Sequence, residues 1–263
     1  MSPLVRPARP TDAEAMGRVT VSSYLAAHRG QVPEPVWLAR REHWTPEVSA
    51  RAWAAALAEI AADTDPTACV HLVVEPSAGT AGAAVESGGE VVGVAMGQRA
   101  DAAPWPRTGE VSALYVLPGH QGRGLGRLLV WAVAAHLRER GLPALTIAVL
   151  AANSPARRFY QALGGREVAA EVTEEAGHRL PQVVYGWPDT AHLAGEQPVR
   201  RVGLSWLITQ PATHGWCSRP GRRAGPGRSR RGRTRRGPRG CASARGWRCR
   251  PRRRAARSAA SRW

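Results

Sequence analysis

The chain has 263 residues, 43% of them hydrophobic, and a formal net charge of +17. All of its basic residues counted in that charge are Arg, so a Walker-type phosphate loop and Schiff-base catalysis, which both need Lys, are excluded. Up to Gly195 there are 17 Arg against 19 Asp and Glu, whereas 196–263 holds 20 Arg against the single Glu196, so the high isoelectric point belongs to the C-terminal stretch alone.

Leu4–Arg6 reads as an opening strand, and Thr11 or Asp12 as the N-cap of a helix whose apolar positions run through Met16, Val19 and Tyr24. A Pro-punctuated stretch, 30–44, carries Trp37 and Trp44. Thr45 as N-cap with Pro46 at the first helical position then starts a helix to about Ala62. Val70–Glu75 and Glu90–Met96 are Val-rich and read as antiparallel neighbours joined by a flexible turn. Glu110–Leu117 is the next strand, Leu125–Arg140 a helix closed by Gly141, and Leu145–Leu150 another strand. Ser154 can cap a helix with Pro155 first and Gly164 at its end, and Arg166–Val172 and Gln182–Trp187 complete the pattern as strands. Two consecutive βα units in the centre favour parallel strands there, within a mixed sheet.

Beyond Asp189 the periodicity stops, and Arg, Gly, Pro, Ser and Ala dominate. Such a segment buries too little apolar surface to offset chain entropy of ~1–2 kcal/mol per residue, and disorder is expected. The expected organisation is a globular domain over 1–190 and a low-complexity tail over 191–263. Cys69 is the one cysteine of the globular part, so neither a disulfide framework nor a paired metal motif can be read, and no metal is expected. The first residues lack the apolar core of a signal peptide, and no run approaches the ~18 apolar residues of a membrane span. The expectation is a cytoplasmic protein with no membrane partner.

The run that carries chemistry is VSALYVLPGHQGRGLGRLLVWAVAAHLRERG. A strand breaks at Pro118, and a turn with Gly122, Gly124 and Gly126 at every second residue opens a long helix. Glycines at such a turn let successive N–H groups face an anion, and the helix adds its unpaired donors and the positive end of its dipole. The spacing is not the dinucleotide fingerprint G-x-G-x-x-G, because position 127 is Arg127.

What it does match is the Gln/Arg-x-x-Gly-x-Gly signature of the GNAT superfamily, as Gln121-Gly122-Arg123-Gly124-Leu125-Gly126. About 30 residues on, ANSPARRFYQALGGREV resembles the element that follows in that family: an Asn at a strand end, a helix with Phe-Tyr, then Gly. The RPARPTDAEAM opening, the GEVVGVAMG strand and the closing LPQVVYGW fall in the family's order, so the resemblance covers nearly all of 4–190. It implies an α/β (α+β) GNAT fold, with a mixed central sheet of about six to seven strands and flanking helices. It also implies an N-acetyltransferase that moves an acetyl group directly from acetyl-CoA to a primary amine.

Carried over residue by residue, the resemblance pairs the backbone of Leu114 and Val116 with the pantetheine arm, and lets the Val116 N–H polarise the thioester carbonyl. The pyrophosphate falls on Gln121, Gly122, Arg123, Gly124, Leu125 and Gly126, with positive charge from Arg123 and Arg127; solvated surface arginines are the competing account of these two. Asn153 binds or positions the cofactor, or else ends its strand and helps cap the next helix. Tyr160 matches the family's candidate proton donor to the departing thiolate, and a phenol with an ordinary pKa near ~10 stays protonated at neutral pH; a buried structural Tyr is the competing account. Glu110 falls where several members place a base acting through water; an ordinary strand-edge carboxylate is the competing account. Gly165 stands where many members carry Phe.

Two other functions stay open: a catalytically silent acyl-CoA-binding module, and nonspecific polyanion binding by the tail, such as RNA or DNA. The tail's composition also fits GC-rich coding DNA read in a shifted frame. The expected partners are an amine, small or peptide-borne, and a second copy of the chain in a homodimer.

Overall fold

The computed structural model of the chain describes residues 2–62, 65–76 and 89–195. The turn expected between the two Val-rich strands lies mostly outside these residues, and the arginine-rich tail lies outside them beyond Gly195.

The strands are β1 (Leu4–Pro7), β2 (Cys69–Glu75), β3 (Glu90–Arg99), β4 (Thr108–Val116), β5 (Ala144–Leu150), β6 (Arg166–Glu175) and β7 (His178–Trp187). They form one seven-stranded sheet in the order β1-β2-β3-β4-β5-β7-β6. The helices are α1 (Ala13–His28), α2 (Glu34–His43), α3 (Pro46–Ala61), α4 (Leu125–Glu139), α5 (Ser154–Ala162) and the short α6 (Ala191–Gly195). This is the mixed sheet with flanking helices that the sequence leads one to expect. Among the described residues its one parallel pairing is β4 with β5, as it must be when a helix, α4, carries the chain back between them.

That parallel pairing is short. Thr108, Gly109 and Glu110 face Ala144, Leu145 and Thr146, and beyond Glu110 the two strands part. β4 stays paired with β3 on its other side, but Met96 faces Ala113 while Gly97 faces Val111, so Ser112 is an extra residue. A bulge of this kind bends a strand and increases its twist. Here it falls where β4 leaves β5.

α4 and α5 pack on one face of the sheet, where Leu129, Val133 and Leu137 of α4 and Leu145 of β5 are almost fully buried. α1 and α3 cover the other face with Met16, Val19 and Trp53 against Leu72 and Val94. Trp53 also donates its ring N–H to the Thr20 hydroxyl at 3.0 Å, which satisfies the one polar atom of a ring wholly out of water. Leu193 on α6 is 2% exposed within the first core. The core therefore extends past the expected boundary at 190.

Three local features differ from the sequence expectation. α2 forms inside the Pro-punctuated stretch, because Pro33 precedes it and Pro35 falls in its first turn, where a missing N–H removes no intrahelical bond. The cap of α5 is Asn153, as one of the two readings of that residue has it, rather than Ser154; its side chain accepts the Ala156 N–H at 3.2 Å. β6 and β7 are longer than expected and meet in a two-residue turn, Ala176–Gly177, with φ of 47° and 76°. Positive φ at both central residues is the backbone that matches the twist of a hairpin. β6 is an exposed edge strand, so apolar alternation signals its last residues poorly.

Candidate active site

The parting of β4 and β5 opens a cleft of about 900 Å³ whose walls are Val111 to Val116 on one side and Ile147 to Leu150 on the other. The Leu117 N–H bonds to Val92 O on the β3 side. Alternation along a strand then turns the peptide groups of Val116 and Leu114 away from β3, toward the gap. Gln121 donates its side-chain N–H to Val116 O at 2.9 Å, so this carbonyl has a partner within the chain.

Gln121, Gly122, Gly124, Leu125 and Gly126 line the cleft where α4 begins. Gly122 and Gly124 have φ of 74° and 80°, which other residues adopt only with strain. A Cβ built on either meets nothing within 4 Å, so backbone angle, not space, demands glycine. Gly126 has the opposite reason: a Cβ there would lie 3.2 Å from the Phe159 ring, so its smallness seats α4 against α5. The N-terminal amides of α4 open into the same space, which is the arrangement that receives a phosphate.

The two arginines divide. Arg127, on the first turn of α4, lines the cleft, whereas Arg123 turns outward to Glu75 at 2.8 Å. His120 lies 3.5 Å from the same Glu75. Sequence reasoning leaves both arginines open between phosphate partner and solvated surface residue; of the two, the structure brings Arg127 to the cleft wall.

Asn153 and Tyr160 both line the cleft. Tyr160 is 6% exposed, with its ring edge-on to Phe159 at 5.3 Å and to Trp187 at 6.5 Å. Burial raises its pKa well above the ordinary phenol value, and the neighbouring Tyr115 adds to the rise. The hydroxyl is therefore protonated throughout the neutral range. Behind it, the Tyr185 hydroxyl donates to Glu167 at 2.8 Å and accepts from Gln161 at 3.1 Å, bracing α5 on β6 and β7.

Glu110 is not part of the cleft wall. It stands where β4 and β5 are still paired and accepts from Gln98 at 2.8 Å. Burial raises its pKa, and the Gln98 hydrogen bond offsets part of that. Four tryptophans also divide: Trp53 is core, Trp37 donates to Leu25 O at 3.0 Å, Trp105 packs on Gly186, and Trp44 lines the cleft.

Sequence reasoning assigns the acceptor to the first helices and their loops, 22–61, but does not find the charged residues at the far end of the cleft, formed by α1, α2 and the end of β6. There Arg40 donates to Glu175, and the Tyr24 hydroxyl reaches the same carboxylate at 3.5 Å. Tyr115, whose phenol burial pushes up to about 12, lines the cleft beside them. Arg40 and Glu175 are 135 positions apart, and no local pattern links them.

The family model of the acetyltransferase (GNAT) family matches residues 39–164. This segment belongs to the GNAT family. The match spans the parting strands, the glycine turn and α5, while α1, β6 and β7 lie outside it.

The chain is 47% identical over 64 residues to mycothiol acetyltransferase from Thermomonospora curvata, covering 24% of this chain and 22% of that protein. It is 39% identical over 85 residues to the N-acetyltransferase YuaI of Bacillus subtilis, covering 32% of this chain and 49% of that protein. The chain thus matches about a fifth of the first relative's length and about half of the second's. Among solved structures it is similar to PaiA N-acetyltransferase from Thermoplasma acidophilum in complex with coenzyme A. That likeness has a TM-score of 0.47 at 16% identity, over 70% of this chain and 98% of that one. An N-acetyltransferase from Staphylococcus aureus Mu50 gives a TM-score of 0.49 at 16% identity, over 71% and 98%. Among the described residues, no helix is long and apolar enough to cross a membrane, and no group of three or more His, Cys, Asp or Glu could hold a metal ion.

Proposed function

We propose that the protein is an N-acetyltransferase that moves an acetyl group from acetyl-CoA directly to a primary amine. One observation carries this reading: the gap between β4 and β5, the glycine turn at the start of α4 and the Tyr160 phenol open into a single cleft. Its volume falls within the ~300–1,000 Å³ of small-molecule sites.

Acetyl-CoA, when bound, supplies an acetyl thioester. The amides of Gly122 to Gly126, with Arg127, hold its diphosphate, and the peptide groups of Leu114 and Val116 hold its pantetheine arm. The Val116 N–H stabilises negative charge as it develops on the carbonyl oxygen. The acceptor ammonium first gives one proton to solvent. As the new C–N bond forms and the C–S bond breaks, Tyr160 gives its proton to sulfur and regains one from nitrogen, leaving amide and thiol. Asn153 caps α5 and so fixes the helix that presents Tyr160. We place the catalytic unit in the segment through α6, since Leu193 belongs to its core.

Calorimetric titration of the full chain with acetyl-CoA, followed by thiol detection over a panel of primary amines, tests the reading. Micromolar binding and thiol release with at least one amine are expected. Absence of any coenzyme A affinity would sink it; binding without turnover on any amine would leave an acyl-CoA-binding module.

A further inference from the structure

The far end of the cleft carries charge, and its balance narrows the acceptor. Among the described residues that line the cleft, Glu175 is the one carboxylate. Arg40 faces it, and Arg127 belongs to the opposite end, at the glycine turn. His28 also lines this end, but burial lowers its pKa, so it adds no charge at neutral pH. The far end thus presents one positive and one negative group in contact.

The pair is fixed by what surrounds it. The Arg40 guanidinium lies 4.8 Å from the Trp44 ring centre and 5.5 Å from that of Tyr24, and the Tyr24 hydroxyl reaches Glu175. Trp44 and Tyr24 meet edge to face at 5.1 Å. Both charged side chains keep about a fifth of their surface exposed, 20% for Arg40 and 22% for Glu175. A brace between α2 and the β6–β7 hairpin needs no exposure to a cleft.

A second observation points to a ligand. The Ser23 hydroxyl, the Gln31 side-chain carbonyl and the Ser112 hydroxyl are buried and have no hydrogen-bond partner among the described residues. All three residues line the same cleft. Buried polar atoms left without partners are costly, and a polar molecule held against them would supply the missing bonds.

We propose that the acceptor is a compact zwitterion, an amino-acid-like molecule whose ammonium is received by Glu175 and whose carboxylate is received by Arg40. The proposal rests on the acetyl-transfer reading and names its acceptor class. The protein's two charges touch, so the ligand's must be equally close, one or two carbons apart, as in an α- or β-amino acid. A polyamine would meet one carboxylate and the repulsion of Arg40. A monoamine without an anionic group would meet the repulsion of Arg40 with no carboxylate to offset it, and a dianion would meet that of Glu175. Trp44 and Tyr24 give an apolar wall for the carbon skeleton, and Ser23, Gln31 and Ser112 take the remaining polar groups.

The test uses the full chain saturated with coenzyme A, titrated calorimetrically with the common α-amino acids, their carboxamides, their decarboxylated amines and spermidine. At least one amino acid is expected to bind ten-fold or more tighter than its own amide and its decarboxylated amine. Arg40→Gln is expected to erase that gap while coenzyme A affinity stays within two-fold, which also shows that the variant folds. Glu175→Gln is expected to weaken the acid and the amide together. The proposal is overturned if every acid binds no better than its amide, if spermidine binds best, or if no amino acid binds to protein that does bind coenzyme A. Failure to bind coenzyme A at all would instead remove the acetyl-transfer reading on which it stands.

Discussion

The two ends of the cleft differ in how far apart in the chain their parts lie. At the α4 end, the walls and the glycine turn come from one unbroken stretch, from Val111 to Arg127, with α5 and its cap following β5. At the far end, the defining contact joins Arg40 on α2 to Glu175 at the tip of β6. The first end is built largely from backbone, through positive φ at Gly122 and Gly124 and the exposed amides of α4. The second is built from side chains, Arg40 and Glu175 with Tyr24 and Trp44 about them. The lesson is that a cofactor site made of main chain constrains a short sequence strongly, whereas an acceptor site made of side chains constrains distant positions weakly.

The comparison breaks most visibly at Tyr160. Replacement by Phe removes the proton donor but leaves the buried ring, so kcat should fall by about 10²–10⁴-fold with little change in acetyl-CoA affinity. Steady-state rates beside calorimetry check this. Equal rates for Tyr160→Phe and the parent would move the chemistry elsewhere.

Gly124→Val tests the main-chain end alone. A β-branched residue at φ of 80° costs ~1–3 kcal/mol of strain, and its side chain enters the cleft mouth. Coenzyme A affinity should drop by roughly ten- to hundred-fold, read by calorimetry, whereas Arg40→Gln should leave it unchanged.

Stability should respond next. A chain ending at Thr190 loses the burial of Leu193, on the order of 1.5–3 kcal/mol relative to one ending at Gly195. Urea unfolding of the two chains measures the difference.

A histidine pair joins β2 to α4, with the ring centres of His71 and His136 6.1 Å apart. Burial, and then the charge of His136, pushes the His71 pKa down to about 4 from 6.5. As pH falls from 6.5 toward 4, the unfolded chain takes up a proton that the native chain does not. Native stability therefore falls across that window and is fully present above it. Thermal melts from pH 7 to 4.5 should show a shallower loss for His71→Leu than for the parent; identical slopes would contradict the assignment.

The smallest effects are expected at two residues that sequence reasoning placed in the site. Glu110→Gln and Arg123→Ala should each change kcat/KM by less than about three-fold. Glu110 is engaged by Gln98 away from the cleft wall, and Arg123 is an exposed partner of Glu75. A large loss at Glu110 would restore it as the base and weaken the contrast between the two ends.

Much of the fold was legible because its signals are local. Thr45-Pro46 marks the start of α3, and the Thr45 hydroxyl accepts the Val48 N–H as a cap should. Alternating Val residues mark β2 and β3, and the glycine turn marks the start of α4. Where signals conflict or vanish, legibility fails. The prolines at 33 and 35 read as breaks although their place in a first turn suits a helix, and the exposed β6 lacks the apolar alternation that would show its length. Arg123 and Arg127 are indistinguishable in sequence, but they leave the loop and the helix in different directions, and only one faces the cleft.

By itself, the sequence determined the order of the strands and of every helix but α2 and α6, the glycine turn and the family to which 39–164 belongs, because each depends on neighbours within a few residues or on a compact motif. Tertiary structure alone decided where β4 leaves β5, which arginine meets the cleft, and that Arg40 and Glu175 stand together. Those outcomes depend on register, bulge and packing between segments far apart in the chain, and no local pattern encodes a distance across a fold.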